Sequence, residues 1–228
     1  MQVMLLKFPQ DPEQVVAQAA RLCYSASDLG TIAEKLTPEK TAAFIRRLVK
    51  LGHHSALEHV SFTFGVEGVS RALTHQLVRH RLASYSQQSQ RYVTLRDFPY
   101  VTPPSVAARP DLAGRFSAAL AVVGEAYEAL LAAGVPAEDA RYLLPNACES
   151  KIVVTMNARE LLHFFRLRCC NRAQWEIHEL ADRMLALAKA QAPSIFHQAG
   201  PGCASGPCPE GEMTCGKTAE VRAKYQAL

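Results

Sequence analysis

Hydrophobic and polar positions follow two distinct periods along this chain. In VSFTFGVEG, Val60, Phe62, Phe64 and Val66 alternate with small or polar residues, the period of a half-buried strand. The β-branched SKIVVTMN predicts a second strand, and VMLLKF (3–8) a short buried one. Helical spacing accounts for most of the rest. DPEQVVAQAARLCY places Val15, Val16, Ala19, Leu22 and Cys23 on one face. TPEKTAAFIRRLVKLGH has Thr37 as N-cap, Pro38 at the first helical position and Gly52 as its stop. VSRALTHQLVRHR continues helical spacing through Val69, Leu73, Leu77 and His80, and a long amphipathic helix closes at Gly134. VPAEDARYLLP starts another helix at Pro136. NARELLHFFRLR opens with Asn157 and Glu160 at capping-box spacing, with Leu161, Leu162, Phe164, Phe165 and Leu167 to pack. AQWEIHELADRMLALAKAQAP predicts a last helix, whereas SYSQQSQRY follows neither period and reads as loop, then short strand.

Helices outnumber strands, and the strands do not alternate with them in βαβ order. The expectation is an α+β fold, a single domain of mixed helices with a small antiparallel-type sheet and no internal repeat. Residues 1–197 form that domain, and after Pro193 the pattern decays towards a Cys/Gly/Pro-rich tail, 198–228.

Composition narrows the picture only a little. Of 228 residues 49% are hydrophobic, enough for one sizeable core. A net charge of +4 is mild for a dedicated DNA or RNA binder. No run of about 18 apolar residues suggests a membrane span, and the start is too short in apolar residues for a signal-peptide core. A cytoplasmic chain is expected, in which the seven cysteines are thiols or metal ligands rather than disulfides.

Charge becomes informative when it is localised. The segment RHRLASYSQQSQRY (79–92) sits in a stretch from Gly68 to Arg96 with no Asp or Glu, which holds Arg71, Arg79, Arg81, Arg91 and Arg96. A solvated charged face usually mixes signs. A one-sign run followed by serine hydroxyls suits an anion, and the planar guanidinium suits phosphate oxygens. A basic surface loop and a nucleic-acid contact remain open on these residues alone. His53, His54, Glu58 and His59 cluster in GHHSALEHVSF, but the five-residue step from His54 to His59 is not that of a helical metal pair, and no resident metal is expected there. GEMTCGKT (211–218) matches a phosphate-loop pattern by letter, yet a Pro/Gly/Cys-rich stretch precedes it where a strand is required. Cys203, Cys208 and Cys215, with His197 upstream, read as reduced thiols, metal ligands or a redox pair.

Taken together with their surroundings, these segments resemble the flavin-dependent thymidylate synthases. Arg79-His80-Arg81, seven residues, then Ser89, with Arg91 and Tyr92 following, resembles that family's signature. HHSALEHVSFTF, ARYLLP, NARELLHFFRLR and AQWEIHELA resemble further family segments in order and spacing, over roughly residues 1–197. The resemblance implies reductive methylation of dUMP to dTMP, with methylenetetrahydrofolate as carbon donor, NADPH as reductant, bound FAD and a homotetramer whose sites are shared between subunits. It implies FAD contacts at Ser55, Arg79, His80, Arg81, Gln87, Asn157, Ala158, Arg159 and His163. It implies dUMP contacts at Gln76, Leu77, Val78, Arg79, Gln87, Gln88, Ser89, Gln90, Arg91, Arg141 and Arg168, with Arg168 as the activating group. Position 87 is Gln where many relatives have Glu, so it cannot serve as a carboxylate base. No cysteine falls inside the signature, and reduced flavin removes the need for a protein nucleophile. Two other readings fit the arginine cluster: a non-catalytic nucleotide- or RNA-binding protein, and a different flavoenzyme acting on a pyrimidine nucleotide.

Overall fold

In a computed structural model, which describes residues 1–95 and 97–228, the α+β expectation holds. Arg96 lies outside the described residues. The elements run β1 (Gln2–Lys7), α1 (Pro12–Leu22), α2 (Leu29–Lys35), α3 (Pro38–Lys50), β2 (Ser61–Ser70), α4 (Arg71–Leu77), β3 (Ala83–Gln87) and α5 (Pro104–Ala107). They continue with α6 (Pro110–Ala132), α7 (Ala137–Ala140), β4 (Glu149–Asn157), α8 (Ala158–Arg168), α9 (Trp175–Gln191), α10 (Gly202–Ser205) and α11 (Thr218–Ala227). The strands make one small antiparallel sheet in the order β1-β2-β4-β3.

The chain divides into two compact units, neither a continuous stretch. The first comprises Met1–Gln2, Val66–Arg79 and Tyr85–Val153; the second comprises Val3–Gly65, His80–Ser84 and Val154–Leu228. In the second unit Phe62 and Phe64 of β2 and Val154 and Met156 of β4 are buried on alternate positions, as period 2 demands. Leu161, Phe164 and Phe165 of α8 and Ile177, Leu180, Met184 and Leu185 of α9 complete that core. Phe196 closes it, with ring centroids 5.6 Å from Phe62 and 5.9 Å from Phe165. Thr37 caps α3 by accepting from Lys40 N, and Gly52 leaves the helix at φ 76, a left-handed conformation suited to glycine. The first unit is built on Val66, Val69, Leu73, Leu77, Phe98, Tyr127 and Ile152.

Six expectations need correction. β1, expected to be buried, has no buried residue, and its Leu6 faces solvent. SYSQQSQRY, expected as loop then strand, runs the other way, strand β3 to Gln87 and loop after it. On α1 the buried stripe is Pro12, Val16, Ala17 and Ala20, not the face through Leu22 and Cys23, both of which are exposed. The helix expected through His80 starts at Arg71, because Ser70 ends β2 and its hydroxyl caps Leu73 N at 3.1 Å. The helix expected from Pro136 shrinks to α7 and a single 3-10 turn, Arg141–Leu143. Leu167 on α8 is 46% exposed and does not pack.

The tail is folded, and α11 has no counterpart in the sequence expectation. Val221 and Tyr225, one turn apart, are buried. The Tyr225 hydroxyl lies 2.8 Å from Cys169 O and 2.5 Å from an Asp182 carboxylate oxygen, two acceptors that share its one proton. Lys224 Nζ sits 2.5 Å from the same carboxylate. Burial opposes ionisation of Asp182, but the His178, Lys224 and Tyr225 contacts outweigh it and hold the pKa at about 2. The phosphate-loop look-alike is a 3-10 turn, Gly211–Met213, with no strand between α9 and it among the described residues. No helix of the described residues is long and apolar enough to cross a membrane.

Candidate active site

In the second unit two motifs that are far apart in sequence meet at one histidine. Asn157 caps α8, its Oδ1 accepting from Glu160 N at 2.9 Å. The return half of the capping box is not made. Glu160 instead turns its buried carboxylate to His80, 3.5 Å from Nδ1. From the other side Arg168 Nε donates to His80 Nε2 at 3.0 Å. The ring stands edge-on to Phe164, 4.9 Å between centroids, and 6.1 Å from His163. Burial, then the charges of Arg168 and His163, depress the His80 pKa to about 4. The imidazole is therefore neutral at physiological pH. With Nε2 accepting from Arg168, its proton resides on Nδ1 and points to Glu160. Burial in turn raises the Glu160 pKa.

This arrangement has a signed consequence for stability. Below pH 6.5 the unfolded chain protonates this imidazole, whereas the folded chain refuses the proton until about pH 4. The His80 contribution thus falls as pH drops through that window and is level beneath it. Glu160 acts oppositely, because a raised carboxyl pKa favours the folded chain as the group protonates. We expect His80→Gln to lose stability less steeply than the parent between pH 6.5 and about 4 in urea melts. Parallel profiles would mean that His80 titrates normally.

Around this core most of the remaining flavin candidates are surface groups. Ser55 opens a 3-10 turn, and Ser55, Arg81, Arg159 and His163 are exposed. Arg159 Nη1 is 2.5 Å from Glu58 Oε1, an acid that the sequence reading treated only as a metal candidate. Ala158 is buried, and its N–H is taken by Val60 O at 2.9 Å. His54 Nε2 faces Val49 O, and no group of three His, Cys, Asp or Glu among the described residues is arranged to hold a metal.

The nucleotide candidates other than Arg168 fall in the first unit. Arg91 Nε meets Glu138 Oε2 at 2.8 Å, and Arg141 Nε donates to Glu138 O at 3.0 Å, so one glutamate gathers two arginines fifty positions apart. Arg71 joins them: burial lowers its pKa, and Arg141 is close enough to add to that effect. The acid-free run is therefore not free of acids in space. Ser89 Oγ accepts from Arg91 N at 3.1 Å, and Gln88 N donates to Lys151 O at 2.9 Å. Gln76 bonds back to Ala72 O on its own helix. Leu77 is fully buried, and Val78 and Arg79 are exposed.

Gln87 is committed in a way that a glutamate could not copy. Its amide nitrogen donates to Thr74 Oγ1 and Ser150 Oγ, both at 2.9 Å. The Thr74 proton is spent on Arg71 O at 3.0 Å, so Thr74 can only accept here, and that fixes the amide orientation. Close by, Gln90 Nε2 is 4.0 Å from Cys148 Sγ. Burial pushes that thiol to about 11 although Arg71 opposes it, so it is protonated and non-nucleophilic near neutrality.

Glu58, Arg71, Thr74, Glu138, Ser150 and Glu160 were not singled out as site residues from the sequence. Arg71 had a signal, its place in the one-sign run. Glu138 had none, because its partner lies 47 positions away.

Comparison with known proteins identifies the family. The family described as thymidylate synthase complementing protein matches residues 4–194. A flavin-dependent thymidylate synthase of Geobacter sulfurreducens is 58% identical, over 100% of this chain and 99% of its own length. That of Clostridium tetani is 49% identical over 98% of this chain and 96% of its own, and that of Pyrococcus abyssi 44% over 92% and 90%. Likeness of this extent, on a chain whose Arg79-His80-Arg81 segment is tied to Arg168 through His80, places it: the chain belongs to the flavin-dependent thymidylate synthases.

Proposed function

We propose that the chain converts dUMP to dTMP, taking the carbon from methylenetetrahydrofolate and the reducing power from NADPH through bound FAD. The observation that carries this reading is the 3.0 Å bond from Arg168 to His80, which joins the signature to the NARELLHFFRLR segment. The donor set fits a flavin nucleotide: Ser55, Arg81, Arg159 and His163 offer hydroxyl, guanidinium and imidazole groups at the surface of the second unit. Arg79, Asn157 and Ala158 belong to the same proposed FAD set, with Gln87 touching both ligands. Bound flavin supplies the hydride that completes the methyl group.

The protein's own residues bind, orient and hold charge. Arg71, Arg91 and Arg141 make a cationic surround for the dUMP phosphate, joined by Gln76, Leu77, Val78, Arg79, Gln88, Ser89 and Gln90. Arg168 stabilises negative charge on the uracil as N3 ionises. His80 is a positioning residue, since its acceptor nitrogen fixes one edge of that guanidinium. Cys148 stays a thiol, in keeping with a route that asks for no protein nucleophile. Seven free thiols suit the reducing cytoplasm. The homotetramer that the resemblance implies is part of this proposal.

The test is direct. Purified protein should be yellow, dUMP should shift the flavin spectrum, and dTMP should form only with the folate and NADPH present. Colourless protein that gains no flavin and binds RNA in a salt-dependent way would replace this reading with the nucleic-acid one. Yellow protein that makes no dTMP would point to another pyrimidine flavoenzyme. Light scattering reads the assembly.

A further inference from the structure

Three tail thiols were left without a role, with His197 as their nearest candidate co-ligand. His197 has its Nδ1 engaged, 3.1 Å from Ser194 O. Cys170, just beyond the end of α8, takes that place. The 170–172 turn clasps the 210–215 segment: Asn171 Nδ2 is 3.6 Å from Cys215 Sγ, Arg172 Nη1 donates to Met213 O at 2.7 Å, and Arg172 Nε lies 3.5 Å from Glu210. The 202–209 segment folds on itself. A methyl group at Gly202 would come within 2.9 Å of Pro209 Cγ, so the residue before Cys203 touches the residue after Cys208. The end of α8 thus lies against both segments: Arg166, one turn before Cys170, approaches Gly202 beside Cys203, and Asn171, the residue after Cys170, reaches Cys215.

The surroundings carry the complementary charge. Arg222 donates to Cys203 O at 3.0 Å and to Gly206 O at 2.8 Å. Arg166 Nε is 3.7 Å from where a Gly202 methyl would stand, and Arg172 lies on the clasp. All seven cysteines are free thiols, and none of these four is paired with another.

We propose that Cys170, Cys203, Cys208 and Cys215 form a tetrathiolate metal site, distinct from the flavin and nucleotide residues. Four sulfur ligands select zinc or an iron–sulfur centre. Each ligand binds as thiolate, so loading releases four protons; with one zinc ion the site becomes a dianion, which Arg166, Arg172 and Arg222 offset. As the chain stands, no three of these groups are arranged to hold an ion. Loading must therefore draw the sulfurs together, to about 2.3 Å from the metal. The movement falls on short turns carrying exposed Cys215 and half-buried Cys208.

The experiment uses full-length protein purified without oxygen. Elemental analysis should give about one zinc per chain, or iron with acid-labile sulfide if a cluster occupies the same ligands. Cys208→Ser and Cys215→Ser should each fall below about a tenth of that, while Cys23→Ser should retain it. Cobalt added to metal-stripped wild-type protein should give the red-region bands of tetrahedral thiolate cobalt, where oxidised flavin is transparent. This readout does not depend on the variants folding. Metal below about a tenth per chain with no cobalt bands would overturn the site. So would a disulfide among the four sulfurs in the anaerobic protein, or metal content unmoved in a folded Cys208→Ser.

Discussion

Arg168→Ala is expected to fold, to keep FAD and to lose nearly all dTMP formation. The guanidinium is at the end of α8, whose packing rests on Leu161, Phe164 and Phe165, all fully buried. Leu167 beside it is already solvent-facing, so truncating Arg168 opens no core. A hydrogen bond to a charged group contributes about 1.5–3 kcal/mol, so dUMP should bind roughly tenfold to a hundredfold more weakly. Turnover at saturating dUMP should fall further, because the guanidinium acts most on charge that develops during the reaction. Arg168→Lys should rescue little, since an ammonium has no fixed edge to present to His80 Nε2 while facing the uracil. Flavin occupancy, dUMP affinity and dTMP formation are measured on the same preparations. Normal turnover at saturation with weakened dUMP binding would reduce Arg168 to a binding residue.

Phe196→Ala should cost about 3–5 kcal/mol of stability. The ring is fully buried and meets Phe62 and Phe165 edge-on, and Phe165 leans on Phe164, the ring that faces His80. The truncation leaves a cavity that backbone on three elements cannot close. Its effect should appear as a lower denaturant midpoint with an unchanged slope. A loss below about 1 kcal/mol would show that the site collapses and that the aromatic cluster is not what holds this core. The position is informative because it lies just past residue 194, where the family match stops.

Local rules recovered what local physics decides. Phe62, Phe64 and Val66 announced β2 through alternation, and Thr37, Pro38 and Gly52 bounded α3 through cap chemistry. β3 was harder because its half-buried positions are Ala83, Tyr85 and Gln87, and its outward ones Ser84 and Ser86, so alternation carries little hydrophobic contrast. α11 hid for a related reason: Val221 and Tyr225 are its only buried anchors, and it follows a stretch rich in Gly, Pro and Cys. The candidate site was legible as a set of residues, through resemblance, but not as a set of bonds. Asn157 and Glu160 stood at the right spacing, yet a buried imidazole competed for the glutamate and won it. The pairing of Arg91 with Glu138 and of Arg159 with Glu58 spans distances in sequence at which no local pattern operates.

The contact of Tyr225 with Cys169 O has a meaning for motion. The last turn of a helix frays because its final carbonyls lack partners along the helix. At the end of α8 that looseness would be felt by Arg168, the neighbour of Cys169. A phenol from the last helix holds the terminal carbonyl at 2.8 Å and thereby damps the turn from outside. The tail acts as a mechanical brake on this turn; if Arg168 engages substrate as proposed, a narrower wobble lowers the entropy lost each time it does so.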